Sequence, residues 1–181
     1  MSTDECYKSI ILLPLCTAAW NIIKMQEQFI FYFGAESIFS HWYKCSFIID
    51  NQIYCCIDQY LVYKKALLFN DSEIAHKVFN SSDPKRHRYL GRDVKYFNKS
   101  VWQNHCKQFA YDANLAKFSQ NKNLKITLSK TLGNSLAEAS PYDRNWGIGL
   151  SMSNPMNQDR KNWRGKNWAG EVLESARKNI F

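Results

Sequence analysis

Asp58 and Lys65 carry the most direct suggestion of chemistry in this sequence. They stand seven positions apart in a segment without Gly or Pro, so on a helix they face the same way, offset by only about 20°. Leu61, Val62 and Phe69 share that stripe, and a carboxylate and an amine therefore project from an apolar face. Buried charges are costly unless they are paired or used. A carboxylate in such a place can handle a proton or stabilise a developing cation, and a desolvated lysine gives up its proton and becomes a nucleophile. A purely structural reading also stands, with Asp58 as helix N-cap and Lys65 snorkelling to the surface. Spacing alone does not choose between them.

A second cluster runs from Leu136 to Gly149. It sets Glu138 and Asp143 beside Trp146 and the flexible Gly147-Ile148-Gly149. Two carboxylates, an aromatic ring and a glycine pair suit a pocket for a ring-bearing, phosphorylated ligand. The glycines alone are no dinucleotide fingerprint, because the third glycine and the strand–helix context are missing. The alternative is that Asp143 caps a turn and Trp146 packs in the core. Lys85-Arg86-His87-Arg88 and Arg160-Lys161 are basic segments, suited to an anion or simply to solvated loop faces.

The elements that must position these residues follow from the pattern. Phe29 to Phe33, stopped by Gly34, reads as a buried strand, and Ser46–Ile49 with Ile53–Ile57 around Asp50-Asn51-Gln52 reads as a hairpin. A helix is expected from Asp58 to Phe69, and a second from Glu73 to Phe79 capped by Asn70-Asp71-Ser72. Asp83 to Arg88 is expected to be a basic loop. Helices then cover about Ser100–Ala116 and Asn121–Lys130, with a short strand at Ser135–Ala139. Ser140–Arg164 should be irregular, and Asn167 caps a last helix to about Lys178. The sum is an α+β single domain, predominantly helical with a small antiparallel β component. It spans residues 29–181, with an N-terminal segment, residues 1–28, packed on it.

Composition sets the bounds. The 181 residues, 45% of them hydrophobic and 15% aromatic, suffice for one packed domain and exclude global disorder. The net charge of +8 favours anionic partners such as phosphates, nucleotides or nucleic acid. Six scattered cysteines form no CxxC pair, and the four histidines show no HxxxH spacing. The thiols are thus expected to be buried and reduced, and neither a metal site nor a cofactor is expected. The apolar run Ser9–Ala19 is shorter than a membrane-spanning helix and lacks a positive flank, so a cytoplasmic protein without membrane association is expected.

Taken in order, several blocks carry a family resemblance: Ser40-His41-Trp42, Asp58-Gln59-Tyr60, Tyr63-Lys64-Lys65-Ala66, Leu90-Gly91-Arg92, Trp102, Lys117-Phe118 and Asn121. The series continues with Glu138-Ala139-Ser140-Pro141, Asp143, Trp146-Gly147-Ile148-Gly149 and Trp163-Arg164-Gly165-Lys166-Asn167. The chain resembles the YbiA-like N-glycosidases, or NADAR (NAD and ADP-ribose) superfamily, over roughly Phe29 to Arg177. The resemblance implies hydrolysis of an N-glycosidic bond between a base-like group and a phosphorylated ribose. The substrates it implies are early riboflavin-biosynthesis intermediates or, alternatively, ADP-ribosylated guanine in nucleic acid. It casts Lys65, Asp58 and Asp143 as catalytic, with Lys65 as nucleophile. It assigns substrate binding to Trp102, Trp146, Arg92, Ser40 and Gly147. Asp58 stands where the family usually has Glu, and Cys55-Cys56 replaces a small hydroxyl residue. A non-catalytic module binding ADP-ribose or nucleic acid is the competing class.

Overall fold

The computed structural model describes residues 27–181, and the expectations for the N-terminal segment fall almost wholly outside them. The chain runs through β1 (Phe29–Tyr32), β2 (Phe47–Ile49), β3 (Gln52–Tyr54), α1 (Ile57–Leu68), α2 (Ser72–Phe79) and α3 (Pro84–Arg92). It continues with α4 (Lys99–Gln120), α5 (Lys122–Ser129), β4 (Ser135–Glu138), two short 3-10 turns and α6 (Trp168–Ile180). The architecture is α+β with helix predominating, as expected.

The hairpin forms because Asp50 and Asn51 both adopt the left-handed conformation, at φ of 53° and 59°, which matches the twist of a tight turn to that of its strands. It pairs Phe47 with Tyr54 and turns those two rings into the core. The other pair of strands is parallel: β1 joins β4, with Tyr32 opposite Glu138. The connection between them contains all five of the first helices, so β4 returns late in the chain to lie beside its first strand.

Helix α4 is the spine. Ala110 and Ala113 present almost no side chain, and α1 closes on them through Ile57, Tyr60 and Leu61. A second cluster, Val62, Ala66, Ile74, Val78 and Val94, joins α1 to α2. A third, around Phe118, Leu128, Leu136 and Leu173, holds β4 and α6 against α4.

Residues 83–88 are not a loop. Asp83 accepts a hydrogen bond from the Lys85 N–H at 3.0 Å and Pro84 occupies the first turn, a favoured helix start, and α3 continues to Arg92. The helix puts Lys85, Arg88 and Arg92 at spacings of three and four along one face.

Candidate active site

A cavity of about 400 Å³ opens where the end of β1, the start of α1, α3 and the end of β4 meet. Phe33, Gly34, Ser40, Trp42, Asp58, Arg88, Glu138, Ser140, Tyr142 and Asp143 line it. Three carboxylates and one guanidinium thus converge on a space walled by aromatic rings.

Asp58 reaches the cavity because it does not cap its helix. The N-cap of α1 is Cys56, whose sulfur accepts the Gln59 N–H at 3.4 Å. Asp58 sits in the first turn, its own N–H donating to the His41 carbonyl at 3.0 Å. Its Oδ2 is buried with no hydrogen-bond partner. Burial pushes this carboxyl up to about 7, against the opposing charge of Arg88.

Glu138 is the last residue of β4. Burial, and then the negative charges of Asp143 and Asp58, push its carboxyl up to about 7 as well. Its main chain is fixed from three sides. Asn167 accepts the Glu138 N–H at 3.0 Å, and the Ile148 N–H donates to the Glu138 carbonyl at 2.8 Å. Gly147 packs so closely that an added Cβ would lie 2.9 Å from that same carbonyl oxygen, so only glycine brings the 143–147 loop this near the strand.

Asp143 both lines the cavity and organises its loop, accepting the Asn145 and Trp146 N–H groups at 2.8 Å each. Ser40 lines the cavity too, and its hydroxyl oxygen accepts the Trp42 N–H at 3.1 Å. The Ser40 carbonyl accepts from Lys117 Nζ at 3.0 Å. Burial lowers Lys117 to about 8, and burial with the charge of Lys117 holds His41 down to about 3. His41, whose carbonyl accepts the Asp58 N–H, is therefore a neutral imidazole.

A smaller cavity of about 230 Å³ adjoins the first and shares Trp42 and Arg88 with it. Lys85, Tyr89 and Arg92 complete its wall. The Arg88 guanidinium lies 5.7 Å from the Trp42 ring centre, within cation–π range.

Asp58, Asp143 and Ser40 are brought together in the larger cavity, and Arg92 lies in the adjoining one. Lys65, Trp102 and Trp146 line neither. Lys65 Nζ donates to the Gly91 carbonyl at 2.5 Å and rests 4.0 Å from the Phe97 ring centre; burial lowers its proton affinity. Trp102 packs between the cores around α1. Trp146 is set edge-on to His41 at 5.1 Å and to Trp168 at 5.8 Å. The sequence places Arg88 in a basic segment and Trp42 in a family block, but gives neither of them, nor Tyr142, a role of its own at this cavity. The signal for Arg88 was the Asp-Pro helix start, which turns a basic run into a helix face.

The fold and the site together define an α+β domain with a carboxylate-lined cavity beside a basic one. The fold is shared with the Escherichia coli protein YbiA, solved by NMR, at a TM-score of 0.70 and 23% identity over 86% of each chain. The NADAR domain family matches residues 30–181. Protein irg-1 of Caenorhabditis elegans is 34% identical over 169 residues, covering 84% of this chain and 80% of that one. N-glycosidase R617 of Acanthamoeba polyphaga mimivirus is 35% identical over 162 residues, covering 83% of this chain and 95% of that one. The chain belongs to the NADAR family. Among the described residues, no helix is long and apolar enough to cross a membrane.

Proposed function

We propose that this protein is an N-glycosidase that hydrolyses the bond between a nitrogen base and a phosphorylated ribose, with early riboflavin-biosynthesis intermediates as its substrates. The observation that carries this reading is the convergence of Asp58, Glu138 and Asp143 on one cavity that shares Trp42 and Arg88 with a basic neighbour. The name of the mimivirus relative supports the reaction class.

Cleaving a ribosyl C–N bond builds positive charge at the anomeric carbon and negative charge on the leaving nitrogen. Two carboxyls that share a cavity, both with raised proton affinity, divide naturally into one acid and one base. The protonated member of the Asp58–Glu138 pair gives its proton to the leaving nitrogen. The ionised member stabilises the oxocarbenium-like sugar and accepts a proton from the attacking water, a division of labour like that of O-glycosidase carboxylates. Asp143 orients the water and holds the Trp146 loop in place. Trp42 and Tyr142 face the base and sugar, and Arg88, with Lys85 and Arg92, takes the phosphate by charge-assisted hydrogen bonds.

A second route is favoured by one observation, the lowered proton affinity of Lys65 in its apolar surroundings. In that route Lys65 leaves the Gly91 carbonyl and attacks the anomeric carbon as a neutral amine, and the base departs with a proton from the Asp58–Glu138 pair. The sugar ring opens to a Schiff base, and water hydrolyses that to free the sugar and the amine. The substrate test is product analysis by liquid chromatography with two substrates, the ribosylamino riboflavin precursors and an ADP-ribosyl-guanine oligonucleotide. Free base and ribose phosphate released from the precursors support the reading. Release of ADP-ribose from the oligonucleotide alone reassigns the substrate. Nucleotide binding without turnover of either makes the protein a binding module.

A further inference from the structure

At the N-terminus of α1, two thiols and an imidazole meet. The sulfurs of Cys55 and Cys56 and a ring nitrogen of His87 all lie within 4.8 Å of one another. Neither the absence of CxxC nor that of HxxxH anticipates this, since α3 delivers His87 from 31 residues away.

The surroundings are those of a prepared ligand set. His87 Nε2 faces the Ser81 carbonyl at 2.8 Å, so the ring proton belongs on Nε2 and Nδ1 accepts the Cys56 S–H, the proton that a bound metal would displace. Nδ1 and Cys56 Sγ are 3.6 Å apart. A carbonyl that fixes the tautomer of a ligating histidine is the usual second partner in metal sites. With metal–sulfur and metal–nitrogen distances of about 2.3 and 2.0–2.1 Å, a tetrahedral zinc ion separates its sulfur and nitrogen ligands by about 3.6 Å. Gln59 braces the frame from both sides. Its carbonyl oxygen accepts the Cys55 N–H at 2.7 Å, and its amide donates to the Ser81 carbonyl at 2.8 Å. Cys56 and His87 are fully buried, whereas Cys55 is partly exposed and lines a separate open cavity of about 580 Å³. An ion therefore has both a way in and a side left open for a fourth ligand.

We propose that Cys55, Cys56 and His87 form a binding site for a thiophilic d10 cation of the zinc(II) class, with its fourth position facing that cavity. Binding releases the two thiol protons to solvent, and the two thiolates neutralise the dication. The ion links the N-cap of α1 to the middle of α3. Asp58 stands two residues beyond Cys56 and Arg88 directly follows His87, so the ion ties together the two helices that bring the carboxylate and the guanidinium to the active site.

The test is zinc(II) titration of the metal-stripped, reduced full chain against a chromophoric chelator, with cobalt(II) as spectroscopic probe. One equivalent should bind, and cobalt should show intense sulfur-to-metal charge transfer. Cys55→Ser, at a partly exposed position, should keep the far-UV circular dichroism of the native chain and weaken zinc binding at least about 100-fold. His87→Gln should weaken it comparably, and unfolding midpoints without metal report whether that variant folds. The double variant Cys6→Ser/Cys16→Ser should bind as the native chain does. Absence of saturable binding, undiminished binding by Cys55→Ser, or loss of binding in the Cys6/Cys16 variant overturns the proposal.

Discussion

Asn167 holds Glu138 in place by acting as a strand. Its side-chain oxygen accepts the Glu138 N–H at 3.0 Å and its amide donates to the Leu136 carbonyl at 2.9 Å, so one side chain supplies two rungs along the edge of β4 that β1 leaves open. The residue adopts a left-handed backbone, at φ of 55°, and makes no side-chain cap of α6. Gly170, one turn into α6, allows the approach, because a Cβ there would collide with the Leu136 carbonyl.

Asn167→Ala should therefore leave the two β4 groups without partners and cost about 1–3 kcal/mol of stability. Urea unfolding checks the cost. Turnover at a temperature where the variant is folded should fall while substrate affinity changes little, since Glu138 shifts and the phosphate site does not.

Glu138→Gln should separate stability from activity. The carboxyl titrates at about 7 when folded, against an ordinary value of 4.5, with burial, Asp143 and Asp58 raising it. A raised folded value means that the ionised form destabilises the native state, fully above pH 7 and not at all below about pH 4. The amide removes that penalty, so the variant should be more stable than the native chain at pH 8 by about 1–3 kcal/mol. The advantage should shrink between pH 7 and pH 4.5 and then vanish. Denaturant titrations at pH 8 and pH 4 read this directly, and glycosidase activity should be lost throughout.

Arg88→Ala should raise KM for a phosphorylated riboside about 10- to 100-fold, the worth of a charge-assisted hydrogen bond. Arg92→Ala, confined to the adjoining cavity, should have the smaller effect. Dephosphorylated substrate should erase the difference between the Arg88 variant and the native chain. Steady-state kinetics on both substrates distinguish a phosphate ligand from a residue that merely shapes α3.

Lys65 decides between the two routes. If water is the nucleophile, borohydride added during turnover leaves the chain unmodified. A reduced sugar adduct on Lys65, found by peptide mass spectrometry, would assign the attack to the amine.

The sequence made α1, the hairpin and the acidic residues legible for definite reasons. A helix without Gly or Pro places Asp58 and Lys65 by arithmetic, and Asp50-Asn51 is strong turn chemistry. Asp58 and Asp143 both reach the cavity, with Asp143 also taking the turn-capping role weighed from its sequence. Helical spacing did not place Lys65 there, because seven residues are about 10.5 Å along the axis and a common face is not a common pocket. Asp83-Pro84 is a pattern shared by loops and helix starts, and only as the start of α3 does it give Arg88 a helix face. The parallel pairing of β1 with β4, more than 100 residues apart, leaves no local pattern in either strand. The aromatic wall of the cavity comes from Trp42 and Tyr142, and Trp102 and Trp146 pack in or beside the core; aromatic composition does not distinguish these roles.

Cleavage of an N-glycosidic bond is proposed to take place in the cavity around Asp58. Its most direct test compares the native chain with Asp58→Asn at equal folded concentration, following release of free base from a ribosylamino riboflavin precursor by liquid chromatography. Asn preserves the shape of Asp58 and removes its proton chemistry. Release by the native chain and a loss of at least about 100-fold in the variant are expected. Equal release by both, or none by the native chain, would contradict the proposal.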